Sequence, residues 1–369
     1  MKKIDFIYFD AGGGHRAAAT ALKSVIDEQA RPWEIRLVNL QEVLDPLDVF
    51  RKITGIRLQD IYNLMLAKGW TLGSAQGLQF VHGVIRLYHG PTLRVLKAHW
   101  TATQPDLVVS LVPNFNRVLF ESLRAARPQT PYVTILTDMA DYPPHFWIER
   151  QEQFLVCGTD KAVEQARALG HAESRIFRAS GMIMRPKFYE EITIDRAAER
   201  ARLGLDANRP TGVVLFGGQG SKVMLEIARR LPDTQLIFIC GRNESLAKKL
   251  RALPAAAPRH VEGFTSEVPH FMRLADFFIG KPGPGSISEA MAMHLPVIVE
   301  RNAWTLPQER YNADWVREHE VGLVLPNFRA IAPAVQEMLG SLDKFRAGAA
   351  RIRNRAVFEI PDFLATLLK

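Results

Sequence analysis

The stretch FDAGGGHRAAATAL, Phe9 to Leu22, sets a histidine directly after three glycines and directly before an alanine-rich helical pattern. An imidazole titrates near neutrality, so a histidine at the rim of a site can take a proton from a substrate hydroxyl. Glycine in a strand-to-helix turn reaches backbone conformations closed to other residues and lets a ligand come close to main-chain N–H groups. Gly13, Gly14 and His15 are therefore candidates for the side of a site where an acceptor hydroxyl loses its proton. A second stretch, TDMADYPPHFW at 137–147, supplies rival bases in Asp138 and Asp141, with His145 and Trp147 as candidate walls of an acceptor pocket. Two plainer readings stay open: His15 only positions an acceptor or a lipid phosphate, and the aspartates only form turns ahead of the proline pair.

A third constellation is DFFIGKPGPGSISEA, where a strand runs into glycines and then into a helix expected to begin near Ser286. Gly283 and Gly285 leave the backbone open, so first-turn N–H groups can point at an anion with the helix dipole assisting. Glu289 lies one turn further on, where a carboxylate suits a pair of ribose hydroxyls; the alternative is a solvated helix carboxylate. Lys281 either neutralises phosphate or faces solvent, and the sequence does not decide. No DxD triplet and no His/Cys cluster at metal spacing occurs. The expectation is that helix dipoles and basic side chains offset phosphate charge, with no metal and no other cofactor. Neither AGGGHR nor GGQGSK has P-loop spacing, and neither glycine turn matches GxGxxG. The second strand ends at Asn39, where a dinucleotide site wants an acidic residue. Both points argue against an NAD enzyme and a P-loop ATPase.

Elements must hold these residues in place, and the pattern for them is α/β. IDFIYF, EIRLVNL, PDLVVSLV, PYVTILTD and EQFLVCG are apolar runs separated by helical stretches, as parallel α/β units require. A second series follows residue 210: TGVVLFGG, TQLIFICG, RHVEGF, DFFIG and LPVIVE. Between them, residues 186–209 are mostly polar and read as a linker. The expected organisation is a first domain over 1–185 and a second over 210–369 that includes the C-terminal helices. Both are doubly wound and Rossmann-like and face a cleft, with ligands at the carboxyl ends of the strands.

Length supports two domains, since 369 residues exceed what one core usually serves. The two cysteines, Cys157 and Cys240, lie in apolar runs, which argues for thiols and against a disulfide framework. A net charge of +8 favours anionic partners. No run approaches the roughly 18 to 20 apolar residues of a membrane span, and Asp5 and Asp10 come too early for a signal peptide.

From Leu44 to Trp100 the strand signal almost disappears. The segment holds two long helical candidates and carries Trp70, Phe80, Tyr88 and Trp100, with seven Lys or Arg (Arg51, Lys52, Arg57, Lys68, Arg86, Arg94, Lys97) against three Asp. One reading is a packed insertion; the other is a contact with an anionic membrane surface.

In GGGHRAAATAL, TDMADYPPHFW, FGGQGS (216–221), GFTSEVPHFMRLADFFIGKPGPGSISEA (263–290) and PQERYNADWV (307–316), the chain resembles glycosyltransferase family 28 with the GT-B fold. It is most similar to the branch of monogalactosyldiacylglycerol synthases and processive diacylglycerol glycosyltransferases. The resemblance implies a nucleotide-diphosphate sugar in the second domain and a lipid acceptor in the first. Gly283, Pro284, Gly285 and Ser286 would hold the diphosphate, and Glu289 the ribose. Phe264 and Thr265 would border the uracil, Gln308 and Glu309 would meet the sugar hydroxyls, and Gly218 and Gln219 would line the cleft.

The combined expectation is a peripheral enzyme on the cytoplasmic face of a membrane. It would move galactose or glucose from UDP-galactose or UDP-glucose to a diacylglycerol-type lipid with inversion, and would not bind nucleic acid. The alternatives are a soluble UDP-sugar epimerase of the same architecture and a non-catalytic sugar-nucleotide or lipid binding protein.

Overall fold

The computed structural model describes residues 1–10, 14–47, 82–83, 85–191 and 193–368. Every apolar run expected to be a strand is one. In the first domain these are β1 (Lys2–Tyr8), β2 (Trp33–Asn39), β3 (Leu107–Ser110), β4 (Tyr132–Ile135) and β5 (Phe154–Cys157), followed by a further strand, β6 (Ile176–Arg178). The second domain holds β7 (Thr211–Leu215), β8 (Gln235–Ile239), β9 (Arg259–Glu262), β10 (Phe277–Gly280), β11 (Val297–Glu300) and a further β12 (Gly322–Leu325). The two additional strands are short edges, only partly buried, which explains their weak apolar signal.

Each domain is a six-stranded parallel sheet, ordered β2-β1-β3-β4-β5-β6 in the first and β12-β11-β10-β7-β8-β9 in the second. Central strands β3, β4, β7, β8 and β10 are buried along their whole length, as a sheet covered on both faces demands. Strand order reverses between β1 and β3 in one sheet and between β7 and β10 in the other. Open α/β sheets bind ligands outside the strand carboxyl ends at such reversals. The chain leaves β1 toward His15, β7 toward Gly218, and β10 toward Gly283.

Two boundaries differ from expectation. The 186–209 linker contains the helix Arg196–Arg202, which belongs to the second domain. Its Arg200 is buried and donates to the Leu274 carbonyl and to the Asp276 carboxylate at 2.8 Å, and Arg196 and Arg346 bind the same carboxylate. The final helix, Ala356–Leu367, does not stay with the second domain. Ala356, Val357, Ile360 and Leu364 pack into the core of the first with Ile4, Phe6, Leu22 and Val133, and Phe363 stacks on Phe177 at 4.6 Å. Within the 44–100 insertion, residues 48–81 and 84 lie outside the described residues, and with them Arg51, Lys52, Arg57, Lys68, Trp70 and Phe80. Its last part is the helix His89–Thr103, packed on Asn116–Ala126. Trp100 is fully buried there, its Nε1–H donating to Ser122 Oγ at 2.9 Å, so it is a core residue and not a membrane anchor.

Candidate active site

On the first domain the site is organised around one indole. Trp147 is fully buried, so it forms no open pocket wall; it is the hub to which the candidate bases attach. Its Nε1–H donates to Asp138 Oδ2 at 2.9 Å and its backbone N–H donates to Asp141 Oδ1 at 2.8 Å. The His15 ring lies 5.9 Å from the indole, with Nδ1 at 3.1 Å from Thr137 Oγ1. One loop, 137–147, thus gathers the three candidate bases.

Their roles separate on burial and partners. Desolvation pushes His15 down to about 4, opposed by a hydrogen bond to the Leu111 carbonyl, so at neutral pH the imidazole is uncharged. Desolvation pushes Asp138 up to about 7; the Trp147 hydrogen bond opposes it, Glu309 adds to it and Lys281 subtracts from it. Asp138 therefore faces charges of the second domain. Asp141 is pushed up to about 6 by burial, against backbone hydrogen bonds from Trp147, Tyr142 and Ile148. Its main-chain N–H and carbonyl are clamped by the Gln165 side chain at 2.8 and 3.1 Å. Asp141 holds the loop, the turn-forming role left open from sequence. His145 is exposed on the same loop at φ +61° and pairs with buried Glu149 at 2.7 Å. Gly14 opens the helix Gly14–Glu28, and nothing among the described residues would meet a Cβ on it. Gly13 lies outside the described residues.

On the second domain, Gly283 is the N-cap of the helix Pro284–Ala292, which starts two residues before expectation and has no side-chain cap. Pro284 has no N–H to satisfy at N1, so the open donors are those of Gly285 and Ser286. Gly285 is exposed, with open space where a Cβ would stand. Glu289, one turn along, is pushed up to about 7 by burial, and Arg185 at 4.0 Å only partly offsets this. It is a desolvated carboxylate without a close partner, which suits a hydroxyl-binding role and does not fit a solvated helix face. Glu309 is buried and pairs with Lys281 Nζ at 2.6 Å, while neighbouring Gln308 is half-buried.

The remaining donor-side positions lie on two loops. Gly218 and Gln219 are exposed between Gly217 and Gly220, both in the left-handed region. The Gly218 carbonyl accepts from Arg242 N–H at 2.9 Å, and that of Gln219 from Asn243 Nδ2 at 3.2 Å. Gly241 lies so close to the Gly218 carbonyl that no side chain fits there. Phe264 is 63% exposed with the Arg242 guanidinium 5.0 Å from its ring centroid, and the Thr265 hydroxyl accepts from Glu267 N–H at 2.9 Å.

Thr137, Arg185 and Arg242 were not legible as site residues, and Lys281 and Glu309 were legible singly but not as a pair. Arg185 sits at the end of the first domain, directly before the polar sequence that reads as linker, and nothing in the spacing joins residue 281 to 309. Among the described residues no group of three or more His, Cys, Asp or Glu side chains is placed to hold a metal ion.

Residues 213–359 match the glycosyltransferase family 28 C-terminal domain. Over 371 aligned residues the chain is 27% identical to the chloroplastic monogalactosyldiacylglycerol synthase of Spinacia oleracea, covering 92% of this chain and 66% of that protein, so it spans about two thirds of its relative's length. Among solved structures, Acinetobacter baumannii MurG superposes with a TM-score of 0.66 at 10% identity, covering 99% of this chain and all of the other. The Anabaena protein Alr3699/HepE in complex with UDP-glucose superposes with a TM-score of 0.54 at 15% identity, covering all of this chain and 99% of its own. At such identities the two superpositions establish the architecture alone. Architecture from the structures and similarity from the sequence relatives agree: the chain has the GT-B fold, its residues 213–359 match the C-terminal domain of glycosyltransferase family 28, and along its length it is similar to the monogalactosyldiacylglycerol synthases.

Proposed function

We propose that the protein is an inverting hexosyltransferase that moves galactose or glucose from a UDP-sugar to a diacylglycerol-type lipid at the cytoplasmic face of a membrane. The observation that carries the reading is the opposition of two half-sites. Asp138, on the loop that also holds His15, is close enough to Lys281 and Glu309 of the second domain to feel both charges. Met139 of that loop is buried in the second domain's core. A sugar held at Glu309 and Gln308 would thus lie against the first domain's bases, with its diphosphate at the open N–H groups of Gly285 and Ser286. The family relationship, and a neighbour of the same fold in complex with UDP-glucose, support the donor class.

In this reading the lipid hydroxyl oxygen attacks the anomeric carbon and its proton passes to His15. The bond from that carbon to the diphosphate breaks, and its electron pair leaves with UDP. The choice of His15 follows from charge. A bound diphosphate raises both groups, because negative charge favours imidazolium and disfavours carboxylate. His15 climbs from about 4 toward the working pH, where a general base is most effective, while Asp138 climbs from about 7 above it and keeps its proton.

No helix among the described residues is long and apolar enough to cross a membrane. The proposed association is accordingly peripheral. Incubation of the purified protein with labelled UDP-galactose and UDP-glucose against a panel of lipids, with products resolved by thin-layer chromatography and mass spectrometry, tests the reading. A hexosylated diacylglycerol is the expected product. UDP binding without transfer to any lipid would leave a binding protein, and an altered free UDP-sugar would indicate an epimerase.

A further inference from the structure

Lys281 occupies an electrically unfavourable place. Its Cε and Nζ lie 3.4 and 3.8 Å from where a Cβ on Gly283 would be, so the ammonium stands at the N-terminal end of the Pro284–Ala292 helix. That end carries partial positive charge, and cations favour the opposite one. The backbone holds the residue there: Gly283 N–H donates to the Lys281 carbonyl at 2.8 Å, and buried Asn312 donates Nδ2–H to the Pro282 carbonyl at 2.7 Å. Glu309 supplies the balancing charge at 2.6 Å, and that carboxylate is only 7% exposed. The buried Glu309 carboxylate therefore needs the ammonium, which is 39% exposed and stands beside helix N–H groups that favour a second anion.

We infer that Lys281 is a ligand of the β-phosphate of the sugar nucleotide and that it exchanges partners: Glu309 in the free protein, the β-phosphate in the complex. The exchange frees the Glu309 carboxylate to accept hydrogen bonds from the transferred sugar, so phosphate and sugar are recognised together. When the anomeric C–O bond breaks, its electron pair settles on the β-phosphate oxygen, where the ammonium stands. The inference rests on the UDP-sugar reading and goes beyond it in giving the lysine and the glutamate a shared, ordered role.

Calorimetry with UMP, UDP and a UDP-hexose on the full-length protein, Lys281→Met and Glu309→Gln tests it. Lys281→Met should lose roughly ten- to a hundredfold in UDP affinity, the worth of a charge-assisted contact, while UMP affinity stays unchanged and reports an intact fold. Glu309→Gln should bind UDP more tightly than the parent, because the lysine is released, and should lose the preference for UDP-hexose over UDP. An unchanged UDP-to-UMP ratio in Lys281→Met, or weaker UDP binding in Glu309→Gln, would overturn the exchange. A parent protein that binds neither UMP nor UDP would instead overturn the donor reading on which it rests.

Discussion

His15 and Asp138 both lie against the Trp147 indole, so ordinary alanine substitutions there confuse chemistry with positioning. Asparagine at 138 keeps a carbonyl oxygen for Trp147 Nε1–H and cannot ionise. If Asp138 works in its protonated form, Asp138→Asn retains most turnover, while His15→Ala loses roughly 10² to 10⁴ in kcat with UDP affinity intact. The reverse ranking in steady-state assays would move the proton to Asp138. Glu289 allows a test by pH. It holds its proton to about 7 in the folded chain against an ordinary 4.5. The folded state thus binds more protons than the unfolded between those values, and stability falls as pH rises through that window. Glu289→Gln should therefore be more stable than the parent at pH 8, by roughly 1 to 3 kcal/mol, and equally stable near pH 4. The same variant should bind UDP more weakly, since a site tuned for hydroxyls is costly to the empty fold. Equal melting at both pH values would mean that Glu289 is not desolvated.

At the scale of elements, the strands were legible because buried parallel strands read as continuous apolar runs, and LVVS, YVTI, TGVVL, QLIFI and FFIG do so without interruption. β6 and β12 escaped because IFR and GLVL are short and half-exposed. The glycine turns were legible for a different reason: an uncapped helix start after glycine has a sequence signature. Trp147 was legible as an aromatic in a functional loop but not as its scaffold, since burial depends on packing that residues 137–147 cannot report alone. The insertion behaves similarly. Its basic excess was plain, yet Trp100 turned inward to Ser122. Of the seven basic residues, Arg86, Arg94 and Lys97 are exposed and the other four lie outside the described residues, and each basic side chain near an anionic surface contributes about 1 kcal/mol. Pelleting with anionic vesicles should weaken as salt rises and should drop when Arg51, Lys52 and Arg57 are replaced by Glu, with UDP affinity unchanged. Equal pelleting with neutral vesicles would remove the electrostatic part.

On the scale of the whole molecule, the two sheets are joined by more than the chain between them. Arg185 donates to the Ser266 carbonyl at 3.3 Å and approaches Glu289, and the Lys187 ammonium pairs with the Glu267 carboxylate. These contacts tie the linker's start to the loop after β9, which brings the proposed nucleotide-base region into register with the first domain. Residues 193–352 should nonetheless form a separable unit, since their sheet and the Asp276 arginine cluster are internal to that span. Expressed alone, this fragment should fold and bind UDP by calorimetry; a fragment that folds but fails to bind would place essential donor contacts on the first domain.

The return of Ala356–Leu367 to the first sheet also has a consequence in time. Protein synthesis releases the chain in order, and domains usually fold as they emerge. Here the first domain's core lacks Ala356, Val357, Ile360 and Leu364 until these late residues are made. Each buried aliphatic side chain of the larger kind contributes about 1.5 to 3 kcal/mol, a sizeable share of a domain's net stability. The second sheet, whose residues are all available earlier, can complete itself while the first waits. The ribosome would thus carry a finished half and an open one, and the helix Ala356–Leu367, made after both sheets, would close the half made before the other.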